Sequence, residues 1–133
     1  VLDQLGLAGA IREFIYPLSA NKGNQTGTHF VLIISDELPK LSAAVEVAAY
    51  RIITEAVTNV LRHAQAASCR VVLAAHDYLE LVITDDGSGL PPRIRHGVGL
   101  NSMRERAEEV GGSIQFMHGV PKGTHISVRL PFS

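Results

Sequence analysis

The chain has 133 residues, 46% hydrophobic and 19% charged, which suits one globular domain with a continuous core and excludes a disordered chain. Its formal net charge is −1, with Lys and Arg scattered, so no basic stripe marks a nucleic-acid partner. Cys69 is the only cysteine, which excludes an intrachain disulfide. No apolar run approaches the roughly 18 residues that a membrane span needs, and no direct membrane contact is expected. No signal peptide is visible, and the start at Val1, without an initiator Met, reads as a piece of a larger protein.

In chain order, Leu7, Ile11, Phe14, Ile15 and Leu18 predict a helix over residues 5–18, with Pro17 marking its end or a kink. Residues 21–27 are a loop by composition, and the apolar, β-branched run 29–35 predicts a buried strand. Ser42 is the expected N-cap of a long helix reaching Ala64, free of Gly and Pro. On that helix Val45, Ala49, Ile53, Ala56, Val57, Val60 and Ala64 share one face. Arg51, Glu55, Asn59 and Arg62 lie opposite, with His63 at the margin. Strands are expected at 69–75 and 78–84, joined by a tight turn at His76-Asp77, followed by a Gly-, Pro- and Arg-rich loop over 87–99. Leu100, Met103, Ala107 and Val110 predict another helix closed by Gly111-Gly112, and a hairpin over 113–118 and 124–130 ends the chain. The class is α+β, a mixed, mostly antiparallel sheet with helices on one face.

Four local patterns could carry chemistry. Asp85-Asp86-Gly87-Ser88-Gly89 ends a strand on which Leu79, Leu81, Ile83 and Asp85 alternate onto one face. A carboxylate that continues an apolar row needs a partner, because burying it unpaired is costly. Taken alone, the same residues serve equally well as a plain turn. Glu55-x-x-x-Asn59 sets a carboxylate and an amide on one helix face, with Arg62 a turn further on. That set suits a hydrated divalent ion beside phosphates, though an ordinary solvated face has the same residues. Gly97-Val98-Gly99-Leu100 opens a helix whose free N–H groups make an anion site, or serves as a simple lid turn. Gly123-Thr124 starts a strand with Ile126, Val128 and Leu130 on Thr124's face, which puts the threonine hydroxyl within reach of the pocket of Asp85.

In this order the four patterns resemble the GHKL ATPases, a family of type II topoisomerases, mismatch-repair ATPases, heat-shock chaperones and histidine kinases; the resemblance runs over residues 28–132. The stretches Tyr50-Arg51-Ile52-Ile53-Thr54-Glu55-Ala56-Val57-Thr58-Asn59-Val60-Leu61-Arg62-His63-Ala64 and Gly99-Leu100-Asn101-Ser102-Met103-Arg104-Glu105-Arg106-Ala107 resemble histidine kinases paired with LuxR-type response regulators. Residues 1–20 would be the end of an upstream dimerisation segment with the first helix, and 21–133 the ATP-binding domain, a two-layer α/β sandwich.

The resemblance also implies roles. Asn59 would hold Mg²⁺ against the phosphates of ATP, and Asp85 would accept a hydrogen bond from the adenine amino group. Gly87 and Gly89 would let the backbone pass the base and ribose. Gly97, Val98, Gly99 and Leu100 would cover the phosphates, with Arg62 and His63 beside them, and Gly123 and Thr124 would support the adenine end. Glu55 matches the acid that activates water in hydrolysing members, and Arg93 and Arg95 sit in the lid. The implied partners are the kinase's own dimerisation domain, which carries the phospho-accepting histidine, and through it a response regulator in the cytoplasm. None of the six histidines here has that helical context, since His76-Asp77 falls in a turn, so the chain is expected to bind ATP without phosphorylating itself. Two other readings remain open: a non-catalytic interaction module on the same fold, and an anti-sigma-type serine kinase.

Overall fold

The computed structural model describes residues 2–19, 27–35, 37–88, 98–119 and 122–133, with the side chains of 2–5, 63, 64, 98 and 99 left aside. The elements are α1 (Leu2–Ser19), β1 (His29–Ile34), α2 (Ala43–Asn59) with a π-helical turn (Val60–Ala64), β2 (Ser68–Ala75), β3 (Leu79–Asp85), α3 (Val98–Glu109), β4 (Ser113–His118) and β5 (Thr124–Leu130). The strands form one sheet in the order β1-β2-β3-β5-β4. β1 and β2 run parallel, and every other pair is antiparallel. The parallel pair needs a long crossover, and α2 supplies it.

Helices cover the sheet face that carries the buried rows, while the other face keeps some apolar residues exposed, Val31 and Ile33 of β1 among them. In β3 the residues Leu79, Leu81 and Ile83 are buried while Glu80, Val82 and Thr84 are half-exposed. α2 packs on β3, α1 on β1 and α2, and α3 on α2, β4 and β5. On α2 the buried residues are Val45, Ala48, Ala49, Ile52, Ile53, Ala56 and Val57, the wide stripe that the 3.6-residue period predicts. Ser42 caps α2 as expected, its Oγ accepting the Val45 N–H at 3.2 Å. Its own N–H donates to the Phe132 carbonyl at 2.9 Å, tying the end of the chain to the start of this helix. Among the described residues no helix is long and apolar enough to cross a membrane.

Three local features differ from the sequence expectation. In α1 the break is at Gly6 (φ 68°, ψ 179°), a positive-φ conformation that a side chain would resist. Pro17 sits in the last turn, two residues before the helix ends, in keeping with its expected place near that end, and its ring removes one intrahelical N–H there. Leu7, Ala10, Ile11 and Ile15 beyond the break are buried, so this part of α1 is built into the core. The expected uniform helix to Ala64 widens into the π turn after Asn59 and stops at Gln65 in the left-handed region (φ 49°). An apolar stripe does not distinguish α from π geometry over a single turn.

The third difference is the β2–β3 turn, which holds three residues rather than two. The His76 N–H donates to the Tyr78 carbonyl at 2.9 Å. Tyr78 leaves the strand, with the Arg129 guanidinium 4.7 Å from its ring centroid and the His76 ring at 5.5 Å. The extra residue sets the register in which Cys69 faces Asp85.

The closing α3–β4 connection is made by glycine. Gly111 takes φ 85°, its N–H reaching the Glu108 carbonyl at 3.0 Å while the Gly112 N–H reaches Ala107 at 2.8 Å. These are the two hydrogen bonds of a Schellman stop. A Cβ on Gly112 would overlap the Arg129 carbonyl oxygen and come within 2.7 Å of Leu130 Cδ2. Gly112→Ala should therefore cost about 1–3 kcal/mol in urea denaturation, with the signature of a fold defect rather than a ligand-site defect.

Candidate functional site

The strand that carries the core through Leu79, Leu81 and Ile83 ends on Asp85, only 6% exposed on the same face. Its Oδ1 accepts the Gly87 N–H at 2.9 Å. Burial pushes the Asp85 carboxyl above its ordinary 3.8. The Gly87 N–H pulls it back, the Asp86 charge pushes it up, and the Thr124 N–H pulls it down. An ionised carboxylate offers about four acceptor positions, so two backbone donors leave room for a donor from outside. The sequence places the Thr124 hydroxyl within reach of this pocket; the Thr124 group that acts on the carboxyl is its backbone N–H.

Cys69, Asp85 and Thr124 form one row across β2, β3 and β5. Gly123, at φ 97°, lies under the Asp85 carbonyl so closely that a Cβ would overlap its oxygen. Cys69 is 1% exposed, and burial first, then the charges of Asp85 and Asp86, push its thiol up to about 12. It is a neutral, inert floor beside the carboxylate, and the sequence reading passed it over because only the observed register brings it there. Asp86 points away from that row. Its Oδ1 accepts the Ser68 N–H at 2.9 Å and its Oδ2 the Ser68 hydroxyl at 3.1 Å. The Ser68 N–H, its largest influence, holds the Asp86 carboxyl below 3.8 despite some burial, with help from the Ser68 hydroxyl and the Ala67 and Asp86 N–H groups.

Asn59 closes α2, and its buried Nδ2 has no hydrogen-bond partner among the described residues. Buried amides are almost always paired, so an orphan of this kind is costly unless something else binds it. Glu55, one turn earlier, is half-buried, and Arg62 is exposed. His63 lies in the π turn, its side chain outside the description. Residues 65–67 carry the chain from that turn to Ser68, the residue bonded to Asp86, so the last residues of α2 and of β3 lie at the same end of the sheet.

α3 reaches that end too. It finishes at the opposite end, where Gly112 packs on Arg129 and Leu130. Its 12 residues span about 18 Å, so Val98 and Gly99 begin back toward Asp85. Leu100, expected at the phosphates, is 3% exposed and packs in the core. Gly89 and Gly97 lie outside the described residues, as does the expected lid over 90–96 with Arg93 and Arg95. One end of the sheet thus carries a buried carboxylate with spare acceptor capacity, an orphaned amide and a helix N-terminus.

A sequence profile of the family described as histidine kinase-, DNA gyrase B- and HSP90-like ATPase matches residues 44–133. The chain belongs to this ATPase family. Within it, the domain is similar to the histidine-protein kinase/phosphatase UhpB of Salmonella typhimurium, 36% identical over 98% of this chain and 25% of that protein. It is also similar to the histidine-protein kinase/phosphatase DegS of Bacillus subtilis, 30% identical over 99% of this chain and 36% of that protein. The ATPase domain therefore spans 36% or less of these relatives. Its fold matches the histidine kinase domain of a blue-light activated kinase of Erythrobacter litoralis with a TM-score of 0.75, at 18% identity, over 95% of this chain and 64% of that one.

The site carries a stability consequence of its own. A carboxyl raised in the folded chain weakens the fold where it is ionised, and that cost fades as pH falls through the raised value. Asp85→Asn keeps an oxygen for the Gly87 N–H and removes the buried charge. Its melting temperature without ligand should equal or exceed the parent's at neutral pH, and the gap should narrow as the pH is lowered toward 4. A variant that melts well below its parent at neutral pH would count against this view of the site.

Proposed function

We propose that this ATPase domain binds Mg-ATP at the Asp85 end of the sheet and donates the γ-phosphoryl group to a histidine on a separate dimerisation domain. The observation that carries the proposal is the pairing of a buried, incompletely satisfied carboxylate with an orphaned amide at the same end of one sheet. Asp85 accepts a hydrogen bond from the adenine amino group, and Gly123, packed under the Asp85 backbone carbonyl, and Thr124, the β5 neighbour of Asp85, support the adenine end. Gly87 and Gly89 leave the backbone bare where base and ribose pass. Val98, Gly99 and Leu100 at the N-terminus of α3, together with Gly97, give N–H groups to the phosphates, with Leu100 anchoring that turn in the core. Arg62 and His63 flank the phosphates, and Glu55 completes the polar edge of α2 one turn before Asn59.

The donor set fits magnesium. Mg²⁺ keeps several waters and substrate phosphate oxygens and takes one or two protein oxygens, so the single Asn59 amide is sufficient. Asn59 would give its oxygen to the ion, and its buried Nδ2, without a hydrogen-bond partner among the described residues, would be free to donate to a phosphate oxygen. When bound, the ion neutralises phosphate charge. The chain's own residues position the nucleotide and exclude water, which is most of what phosphoryl transfer asks of a protein.

The partners follow from this reading. The domain works in the cytoplasm beside the dimerisation domain of the parent kinase, which the segment preceding the Gly6 break joins to it, and that domain passes the phosphoryl group to a response regulator.

Removing the charge at Asp85 costs on the order of 1.5–3 kcal/mol in binding, so Asp85→Asn should bind Mg-ATP roughly tenfold to a hundredfold more weakly by calorimetry. ATP binding by the parent should also weaken as pH falls, with the onset above the ordinary carboxyl value of 3.8, opposite in sign to the stability effect. Mixing the chain and Mg-ATP with a histidine-bearing dimerisation domain from a related kinase should yield acid-labile phosphohistidine. Acid-stable phosphoserine on a partner protein would favour a serine kinase, and no nucleotide-dependent thermal shift would favour a non-catalytic module.

A further inference from the structure

We propose that Asp86 and Ser68 form a latch that fixes the spacing between the base-binding and metal-binding halves of the site, making Asp86 a positioning residue for Mg-ATP. The inference rests on the nucleotide reading above and adds a residue that reading leaves idle.

Three hydrogen bonds join the two residues. The Ser68 N–H donates to Asp86 Oδ1 at 2.9 Å, the Ser68 hydroxyl to Oδ2 at 3.1 Å, and the Asp86 N–H to the Ser68 carbonyl at 3.3 Å. The ring joins two different pieces of chain. Asp86 follows Asp85 directly, so it holds the end of β3 where the base-binding carboxylate leaves the sheet. Ser68 follows the short connector 65–67, which begins where the Asn59 helix and its π turn stop at left-handed Gln65.

From the other side the connector is already fixed. The Thr28 hydroxyl donates to the Ala66 carbonyl at 2.9 Å, and the His29 N–H donates to the Ala67 carbonyl at 2.9 Å. With Thr28 and β1 holding one side, the Asp86 carboxylate adds two side-chain-mediated bonds to β3 at the very start of β2, beyond the backbone bond to the Ser68 carbonyl and the β2–β3 ladder that begins at Cys69. Charge-assisted bonds to a carboxylate are shorter and stronger than neutral ones, and a pair of them on a single serine restricts sliding as well as separation. A mobile Asp86 would leave Asp85 and Asn59 each intact but free to drift relative to each other. A small misplacement is enough to lose a ligand that must touch both.

The experiment measures two ligands by calorimetry with the whole chain: ATP with Mg²⁺, and ADP with the metal chelated by EDTA. Asp86→Ala should bind Mg-ATP about tenfold more weakly while its affinity for metal-free ADP stays within about twofold. Asp86→Asn, whose oxygen still accepts the Ser68 N–H and whose amide can donate to the Ser68 hydroxyl, should recover most of the loss. Ser68→Ala, which removes one of the three bonds, should show a smaller loss confined to Mg-ATP, and it carries the test if Asp86→Ala does not fold. Unchanged Mg-ATP affinity, or equal losses for both ligands, would overturn the latch. A parent chain that binds neither ligand would overturn the nucleotide reading and the latch together.

Discussion

A carboxylate that ends an apolar row is the constraint around which the site is built. Asp85 takes the place on β3 where the pattern of Leu79, Leu81 and Ile83 calls for another hydrophobic residue. Burying it is unfavourable. The fold keeps it in place with two backbone N–H groups, from Gly87 and Thr124, which offset burial only in part, since the carboxyl remains above its ordinary range. Gly123 belongs to the same arrangement, because no side chain fits beneath the Asp85 carbonyl. The uncompensated part of the cost is what a ligand with a hydrogen-bond donor can recover, and proteins commonly accept lower stability at such positions for the sake of function.

The chain path then sets what this carboxylate can be combined with. A parallel β1–β2 pair forces a long crossover, and the crossover helix ends beside the strand end that carries Asp85. Asn59 closes that helix with an amide nitrogen that nothing among the described residues satisfies. The glycine stop at Gly111 and Gly112 sends α3 back along the same face, so its N-terminus starts from the same end. Three elements from distant parts of the sequence thus bring an acceptor, an amide and a helix N-terminus to one end of the sheet, where the Asp86–Ser68 bonds join the end of β3 to the start of β2. Sensor kinases such as UhpB and DegS are the relatives on which the phosphoryl-transfer reading draws.

Much of this was legible in the residues themselves. The alternation from Leu79 to Asp85, the Ser42 cap, the α2 stripe and the bounds of the closing hairpin all follow from short-range rules of period and turn chemistry, and the structure has them. What escaped depends on which atoms meet across the sheet. The two-residue turn expected at His76-Asp77 is one residue too short, because Tyr78 is drawn out of the strand by Arg129 and His76. With it went the register that sets Cys69 beside Asp85 and Ser68 beside Asp86. The π turn after Asn59 and the break at Gly6 also left no mark, since one apolar stripe fits α and π geometry alike and a glycine early in a helix does not announce its φ.

The central claim is that Asp85 reads the donor on a purine's six-position. Competition of GTP against ATP for the Mg²⁺-loaded chain tests it most directly, because guanine has a carbonyl where adenine has an amino group and the two nucleotides share their phosphates. Loss of that charged hydrogen bond should leave GTP at least about tenfold weaker. Equal competition by the two nucleotides would contradict the account.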